Sequence, residues 1–160
     1  MRLFYLDASA LVKRYSPEAG TDVVDQLFTP PLQDRLVASI WTITETAAAL
    51  NRKRNTALIP DRDFLPLIRR MVAETDLFFQ LKADSDDARQ SMALIFAHNI
   101  NASDALHLHL VLKLKRILDL MGDDIALVAS DQRLLRAAQA EGVTTLDPET
   151  ETAAGLQALL

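Results

Sequence analysis

Residues 1–15 read MRLFYLDASALVKRY. Leu3–Leu6 is an unbroken apolar run that stops on Asp7, and a helical stretch, Ala8–Tyr15, follows at once. So short a run cannot span a bilayer or form the core of a signal peptide. It reads instead as a strand covered on both faces, the kind found inside parallel sheets. The pattern recurs near the other end of the chain. Ile125–Ala129 (IALVA) is again near-continuously apolar, and it passes through Ser130 and Asp131 into a helical stretch, Gln132–Glu141.

Three more segments read as short strands: Leu36–Ile40 (LVASI), Leu77–Leu81 (LFFQL) and Val143–Leu146 (VTTL). Helical patterns fill the intervals at Glu18–Phe28, Thr42–Lys53, Arg62–Thr75, Asp86–His98 and Ala102–Leu120, and a short helix is expected near Ala153–Leu159. Strands alternating with helices predict an α/β fold, a three-layer α/β/α sandwich around a central five-stranded parallel sheet. The 160 residues fit one domain, 1–160, and 49% hydrophobic content is enough to fill its core. The absence of cysteine excludes disulfides and thiolate metal sites, and the expected compartment is the cytoplasm. A net charge of −5 argues against a protein that coats duplexes with a broad basic face. It does not argue against an enzyme that gathers carboxylates around a cation.

The acids fall in a pattern. Asp7 and Asp131 each stand where a strand hands over to a helix, and open α/β sheets bind ligands outside the carboxyl ends of their strands. Glu45 follows the LVASI segment, in the expected first turn of the next helix. Asp104 opens the helix that leads down to IALVA, so it too belongs at the upper edge of the sheet. Each of these acids can equally cap a helix: Thr42 and Glu45 have capping-box spacing, Asn101 and Asp104 a looser version, and Asp7 and Asp131 are good N-caps. Convergence separates the two readings. Four carboxylates in one crevice repel one another unless a cation sits among them. An oxygen-only ligand set of Asp7, Glu45, Asp104 and Asp131 selects Mg²⁺ or Mn²⁺ over zinc. Such a site suits phosphate-ester hydrolysis, with one ion or with two about 4 Å apart. Ser9 is placed to orient a ligand or a bound water, or to cap the first helix.

Four stretches resemble the PIN-domain family in order along the chain: YLDASALVKRY (5–15), SIWTITETAAAL (39–50), NASDALHLHL (101–110) and LVASDQRLLRAA (127–138). Among PIN domains the compact length and the DALHL segment look most like VapC-type toxins. The resemblance implies a sheet order of 3-2-1-4-5. It also implies an endoribonuclease dependent on Mg²⁺ or Mn²⁺, catalytic acids at Asp7, Glu45, Asp104 and Asp131, a small antitoxin partner and a homodimer. One position departs from the pattern: the hydroxyl residue often found two before the fourth acid is Ala129 here, with Ser130 beside it.

Other polar residues carry two readings each. Arg14 and Arg52, with Lys13, Lys113, Lys115 and Arg116, could meet RNA phosphates or serve as helix-end charges. Trp41 could stack a base, although a lone Trp after a buried strand is more often core. His107 and His109 are two apart on a helix and face different ways, so they form no local chelate; His107 lies three residues from Asp104, within reach of the site, with helix packing as its other role. Asp84, Asp86 and Asp87 lack the Gly and Glu of an EF-hand loop and read as a capped helix start. Two other functions compete with the nuclease. One is a PIN-like module that binds RNA or protein without catalysis, motivated by the displaced hydroxyl. The other is a haloacid-dehalogenase-type phosphatase, which needs a second acid where Ser9 stands.

Overall fold

Strand β1 (Arg2–Leu6) lies at the centre of the sheet, and its side chains alternate between two apolar layers. Phe4 and Leu6 enter one layer and Tyr5 the other, all without solvent exposure. This is the two-residue period of a strand with both faces covered. The computed structural model describes residues 1–158, so Leu159, at the end of the expected closing helix, lies outside the described residues.

After β1 come α1 (Ala8–Leu11), prolonged by a 3₁₀ turn at Val12–Arg14, and α2 (Thr21–Leu27). Then follow β2 (Leu36–Ser39), α3 (Ile40–Asn55), α4 (Asp61–Thr75), β3 (Phe79–Leu81), α5 (Ser85–His98) and α6 (Ala102–Met121). The chain continues through β4 (Asp124–Val128), α7 (Gln132–Ala140), β5 (Thr144–Leu146) and α8 (Ala153–Ala158). All pairings are parallel, as the strand–helix alternation predicts, in the order β3-β2-β1-β4-β5 that the resemblance implies. One apolar layer joins Phe4, Leu6, Ala126 and Val128 to Leu11, Leu27, Leu50 and Met71. The other joins Tyr5, Ile125 and Leu127 to Leu108, Val111 and Leu134. Each Leu buried in this way contributes about 2 kcal/mol.

Strand order reverses at β1, between β2 and β4. Leu6 pairs with Val128, and the Asp7 amide donates to the Val128 carbonyl at 2.9 Å. The carboxyl ends of β1 and β4 therefore open onto one crevice.

Among the boundaries that differ from the sequence reading, two have a clear local cause. Strand β2 ends at Ser39, because the Ser39 hydroxyl accepts from the Thr42 amide and starts α3 a residue earlier than the strand was expected to end. Helix α2 starts at Thr21, because Gly20 before it has φ +83° and breaks the helix expected from Glu18. A Cβ on Gly20 would stand 2.4 Å from the Pro148 carbonyl oxygen, so only glycine lets the segment after β5 pass this close. Among the described residues no helix is long and apolar enough to cross a membrane.

Candidate active site

Asp7 ends β1 and caps α1. Its Oδ2 accepts from the Ser9 amide at 2.9 Å and from the Ser9 hydroxyl at 2.6 Å. The Ser9 Oγ in turn accepts from the Ser130 amide at 2.9 Å. Asp7, rather than Ser9, thus caps the helix, and Ser9 bridges the ends of β1 and β4. The Ser130 hydroxyl is buried without a hydrogen-bond partner among the described residues.

Glu45 lies in the second turn of α3, since Ser39 is the N-cap. The capping box expected between Thr42 and Glu45 therefore does not form. Thr42 is buried, 3.5 Å from the Tyr5 hydroxyl and 3.3 Å from that of Ser39. Glu45 turns the other way: Oε2 accepts from His107 Nε2 at 2.8 Å, and Oε1 accepts from the Ser103 hydroxyl. Burial pushes the Glu45 carboxyl up, but the hydrogen bonds from His107 and Ser103 outweigh it and hold the group below its ordinary range.

His107 is 1% exposed. Its Nδ1 lies 2.7 Å from the Tyr5 hydroxyl, and its Nε2 lies 3.8 Å from Asp7 Oδ1. Burial disfavours the charged ring, yet the hydrogen bond to Glu45 and the Asp7 charge prevail and raise its pKa. With Glu45 ionised, Nε2 carries a proton in either charge state of the ring, because a carboxylate can only accept. The neutral ring then accepts from Tyr5 at Nδ1, and the charged ring donates to it.

Asp104 stands in the first turn of α6, where the Asn101 side chain accepts from its amide at 2.8 Å. Its own Oδ2 is buried with no partner among the described residues. Burial, followed by the negative charges of Asp131 and Asp7, pushes its carboxyl up to about 6. Asp131 caps α7, accepting from the amides of Arg133 at 2.8 Å and Leu134 at 3.2 Å. Each capping role expected for Asp7 and Asp131 therefore coexists with a place in the crevice.

All four acids line one pocket of about 320 Å³, together with Ser9 and Arg52. Single ligand atoms of Asp7, Glu45 and His107, the first two on the wall of this pocket, lie within 4.8 Å of one another, a group able to hold a metal ion. Asp104 and Asp131 flank that group. Asp104, with a buried carboxylate oxygen that has no hydrogen-bond donor among the described residues and a carboxyl pushed up by burial and by its acidic neighbours, fits a divalent cation.

Several other residues are placed differently from the sequence expectation. Arg14 is not at the acids: its guanidinium binds both Glu74 oxygens, at 3.2 and 3.0 Å, and Asp25 at 2.7 Å, and it lies 4.6 Å from the Phe28 ring centre. Lys13 is buried and paired with Glu149 and Glu18. Lys113 binds Asp87, and Lys115 binds Asp119 and Asp124. Trp41 is not core. With the strand ending at Ser39, it falls on the first turn of α3, half exposed, beside an apolar cavity of about 400 Å³ that shares Glu45 as a wall with the acid pocket. The acidic start of α5 is a capping box between Asp84 and Asp87, as expected. His107 is closer to the acids than helix packing alone would place it, and Ser103 and Tyr5 were missed. The usable signal was spacing: Ser103 and His107 are four apart on one helix face.

No protein-family model matches the sequence, and no curated protein does. Solved structures match over most of the chain. FitAcB from Neisseria gonorrhoeae is similar at 17% identity, covering 93% of this chain and 100% of that one, with a TM-score of 0.62. VapC20 of Mycobacterium tuberculosis, a toxin that cleaves the sarcin–ricin loop, matches at 15% identity over 93% of this chain and 99% of its own, with a TM-score of 0.59. VapBC-1 from nontypeable Haemophilus influenzae matches at 15% identity over 92% and 98%, with a TM-score of 0.56. The fold is that of PIN-domain toxins. At these identities the likeness is one of fold. In the PIN-type frame, the strand-end acids Asp7 and Asp131 and the helix-borne Glu45 and Asp104 occupy the switch point of the sheet.

Proposed function

We propose that this chain is a metal-dependent endoribonuclease, the toxin of a toxin–antitoxin pair, that hydrolyses RNA phosphodiester bonds at the acid pocket. The observation that carries this reading is the buried Asp104 Oδ2, without a hydrogen-bond partner among the described residues, in a pocket with Asp7, Glu45 and Asp131. Asp7, Glu45 and Asp104 would hold Mg²⁺ or Mn²⁺, with Asp131 at the outer edge. When bound, the ion supplies charge neutralisation at the phosphoryl oxygens and a more acidic water. His107 is a positioning residue: its Nε2 proton is committed to Glu45, so it fixes that carboxylate instead of donating a lone pair. Tyr5 fixes His107 from behind. Arg52, on the wall of the same pocket, would meet a phosphate.

An antitoxin and a second copy of this chain are the proposed protein partners, and the cytoplasm the proposed location. The VapBC and FitA–FitB names of the similar structures support the first of these. The exposed apolar side chains Ile40, Trp41, Met92 and Phe96 offer surface for a protein contact. We further propose that residues 1–160 act as one domain.

The test is cleavage of RNA with Mn²⁺ or Mg²⁺ by the wild type and by Asp7→Asn. Loss of cleavage with retained fold supports the mechanism, and cleavage at the wild-type rate refutes it. A second reading, a PIN-like module without catalysis, is favoured by one detail: the auxiliary hydroxyl stands at Ser130, buried and without a partner among the described residues, while Ala129 occupies the preceding position. Calorimetric titration with Mn²⁺ separates the two, since absence of binding at millimolar metal favours the module.

A further inference from the structure

A polyanion approaching this protein meets four carboxylates on a chain of net charge −5. Productive binding then needs cations close to the acids but outside them. Beyond Asp131 there is a small cavity of about 220 Å³ between the end of α5 and the outer side of α7. It is lined by His98, Asn99, Arg133, Arg136 and Ala137. That volume equals roughly seven waters at about 30 Å³ each, room for a hydrated phosphate but below the range of pockets for drug-sized ligands.

The cations here are little used by the fold. Arg136 is exposed, and its side chain has neither an ion pair nor a hydrogen bond among the described residues. Among the described residues Arg133 pairs with Asp131 alone, at 3.9 Å, and Arg133 is 59% exposed. Arg14, Arg54 and Arg70, by contrast, are each held by an acid on the protein. The side-chain amide of Asn99, at the left-handed C-cap of α5, is also without a partner among the described residues. His98 is engaged with Glu141 at 2.6 Å, so the permanent cations that line the cavity are the two arginines. They lie one helical turn apart on α7, so both guanidinium groups can reach one side of the helix.

Position gives the cavity its meaning. Helix α7 begins immediately after Asp131, and the α5–α6 turn that forms the opposite wall leads directly into Asn101 and Asp104. Arg133 on the cavity wall lies 3.9 Å from Asp131 on the wall of the acid pocket, and this pair links the two, while Arg52 lies in the acid pocket itself.

We propose that the cavity formed by Arg133, Arg136 and Asn99 is a phosphate subsite that binds a backbone phosphate of single-stranded RNA next to the phosphate presented to the acids. The proposal rests on the nuclease reading for its choice of ligand. Arginine forks suit phosphate oxygens, and such interactions set the register of the strand rather than read its sequence.

The test is fluorescence anisotropy of a short labelled single-stranded oligoribonucleotide in metal-free buffer at several salt concentrations. Wild type is compared with Arg133→Gln/Arg136→Gln and with a control, Arg62→Gln/Arg89→Gln, at exposed arginines elsewhere. The first double variant should bind about tenfold more weakly. Its slope of log affinity against log salt should be shallower by about 0.7 for each phosphate that the variant no longer neutralises. The control should match wild type. In cleavage with Mn²⁺ the same variant should raise KM and leave kcat nearly unchanged. Wild-type affinity and slope in Arg133→Gln/Arg136→Gln would overturn the subsite even if the enzyme cleaves RNA. So would a wild type that does not bind the oligonucleotide. Salt-sensitive binding that the double variant loses, by a wild type that does not cleave, would sustain the subsite and remove the nuclease reading.

Discussion

The Tyr5 hydroxyl lies 2.7 Å from His107 Nδ1, and on the other side of that ring Nε2 reaches Glu45. A residue in the central strand thereby governs a carboxylate on α3 through a histidine on α6. Removing the hydroxyl should release this chain of interactions. Tyr5→Phe is expected to lower stability by about 1 kcal/mol in urea unfolding. It should also weaken Mn²⁺ binding by about tenfold in calorimetry, the usual scale for partners one step removed from a metal. Unchanged Mn²⁺ affinity would show that the Tyr5–His107 hydrogen bond does not position Glu45.

Asp104 gives a prediction with a definite pH sign. Its carboxyl titrates at about 6 in the folded chain and at about 3.9 when unfolded. The folded state then binds more protons than the unfolded state between these values, so stability falls as pH rises through that window. Asp104→Asn removes the penalty. In metal-free buffer the variant should gain about 2 kcal/mol over wild type at about pH 7 and little or nothing at about pH 3.5. Thermal unfolding at the two pH values measures both, and an equal gain at both would disprove the electrostatic origin.

Asp87 has the opposite sign. It is buried between α5 and α6, bound by Lys113 at 2.8 Å, His109 at 3.0 Å and the Asp84 amide at 3.1 Å. The Lys113 hydrogen bond in particular holds its carboxyl below the ordinary range, against the effect of burial. Its stabilisation is complete above the unfolded value of about 3.9 and is lost as pH falls through the lower folded value. Asp87→Asn should cost about 2 kcal/mol at about pH 7, read by urea unfolding, and the difference should shrink in strong acid.

Gly20→Ala should destabilise the chain by at least about 1–2 kcal/mol. The residue has positive φ, and the added methyl would meet the backbone of Pro148. A midpoint equal to wild type in thermal unfolding would mean that the segment after β5 yields without cost.

The fold was legible because the apolar runs of β1 and β4 are short, continuous and stopped by acids. That pattern admits parallel strands covered on both faces and little else, and it brought Asp7 and Asp131 to one edge. The place of Glu45 was only half legible. Ser39 and Thr42 are both acceptable N-caps, and the choice between them moves Glu45 by a full turn. His107 was harder to place for another reason. Ala105, His107, Leu108, His109, Leu110 and Val111 are all buried, so the first half of α6 has no exposed stripe from which to read its inner face. Arg14 was misleading because an arginine near an acid in sequence does not reveal the distant Glu74 that captures it.

The Ser9 hydroxyl joins Asp7 Oδ2 to the Ser130 amide, and Asp131 is the next residue along the chain. The spacing of the first and last acids is thus set by one short strut when the chain folds. Under the proposed function, an arriving cation would find these two acids already spaced and would not need to draw two loops together. Affinity that would otherwise be spent on ordering stays available for holding the ion.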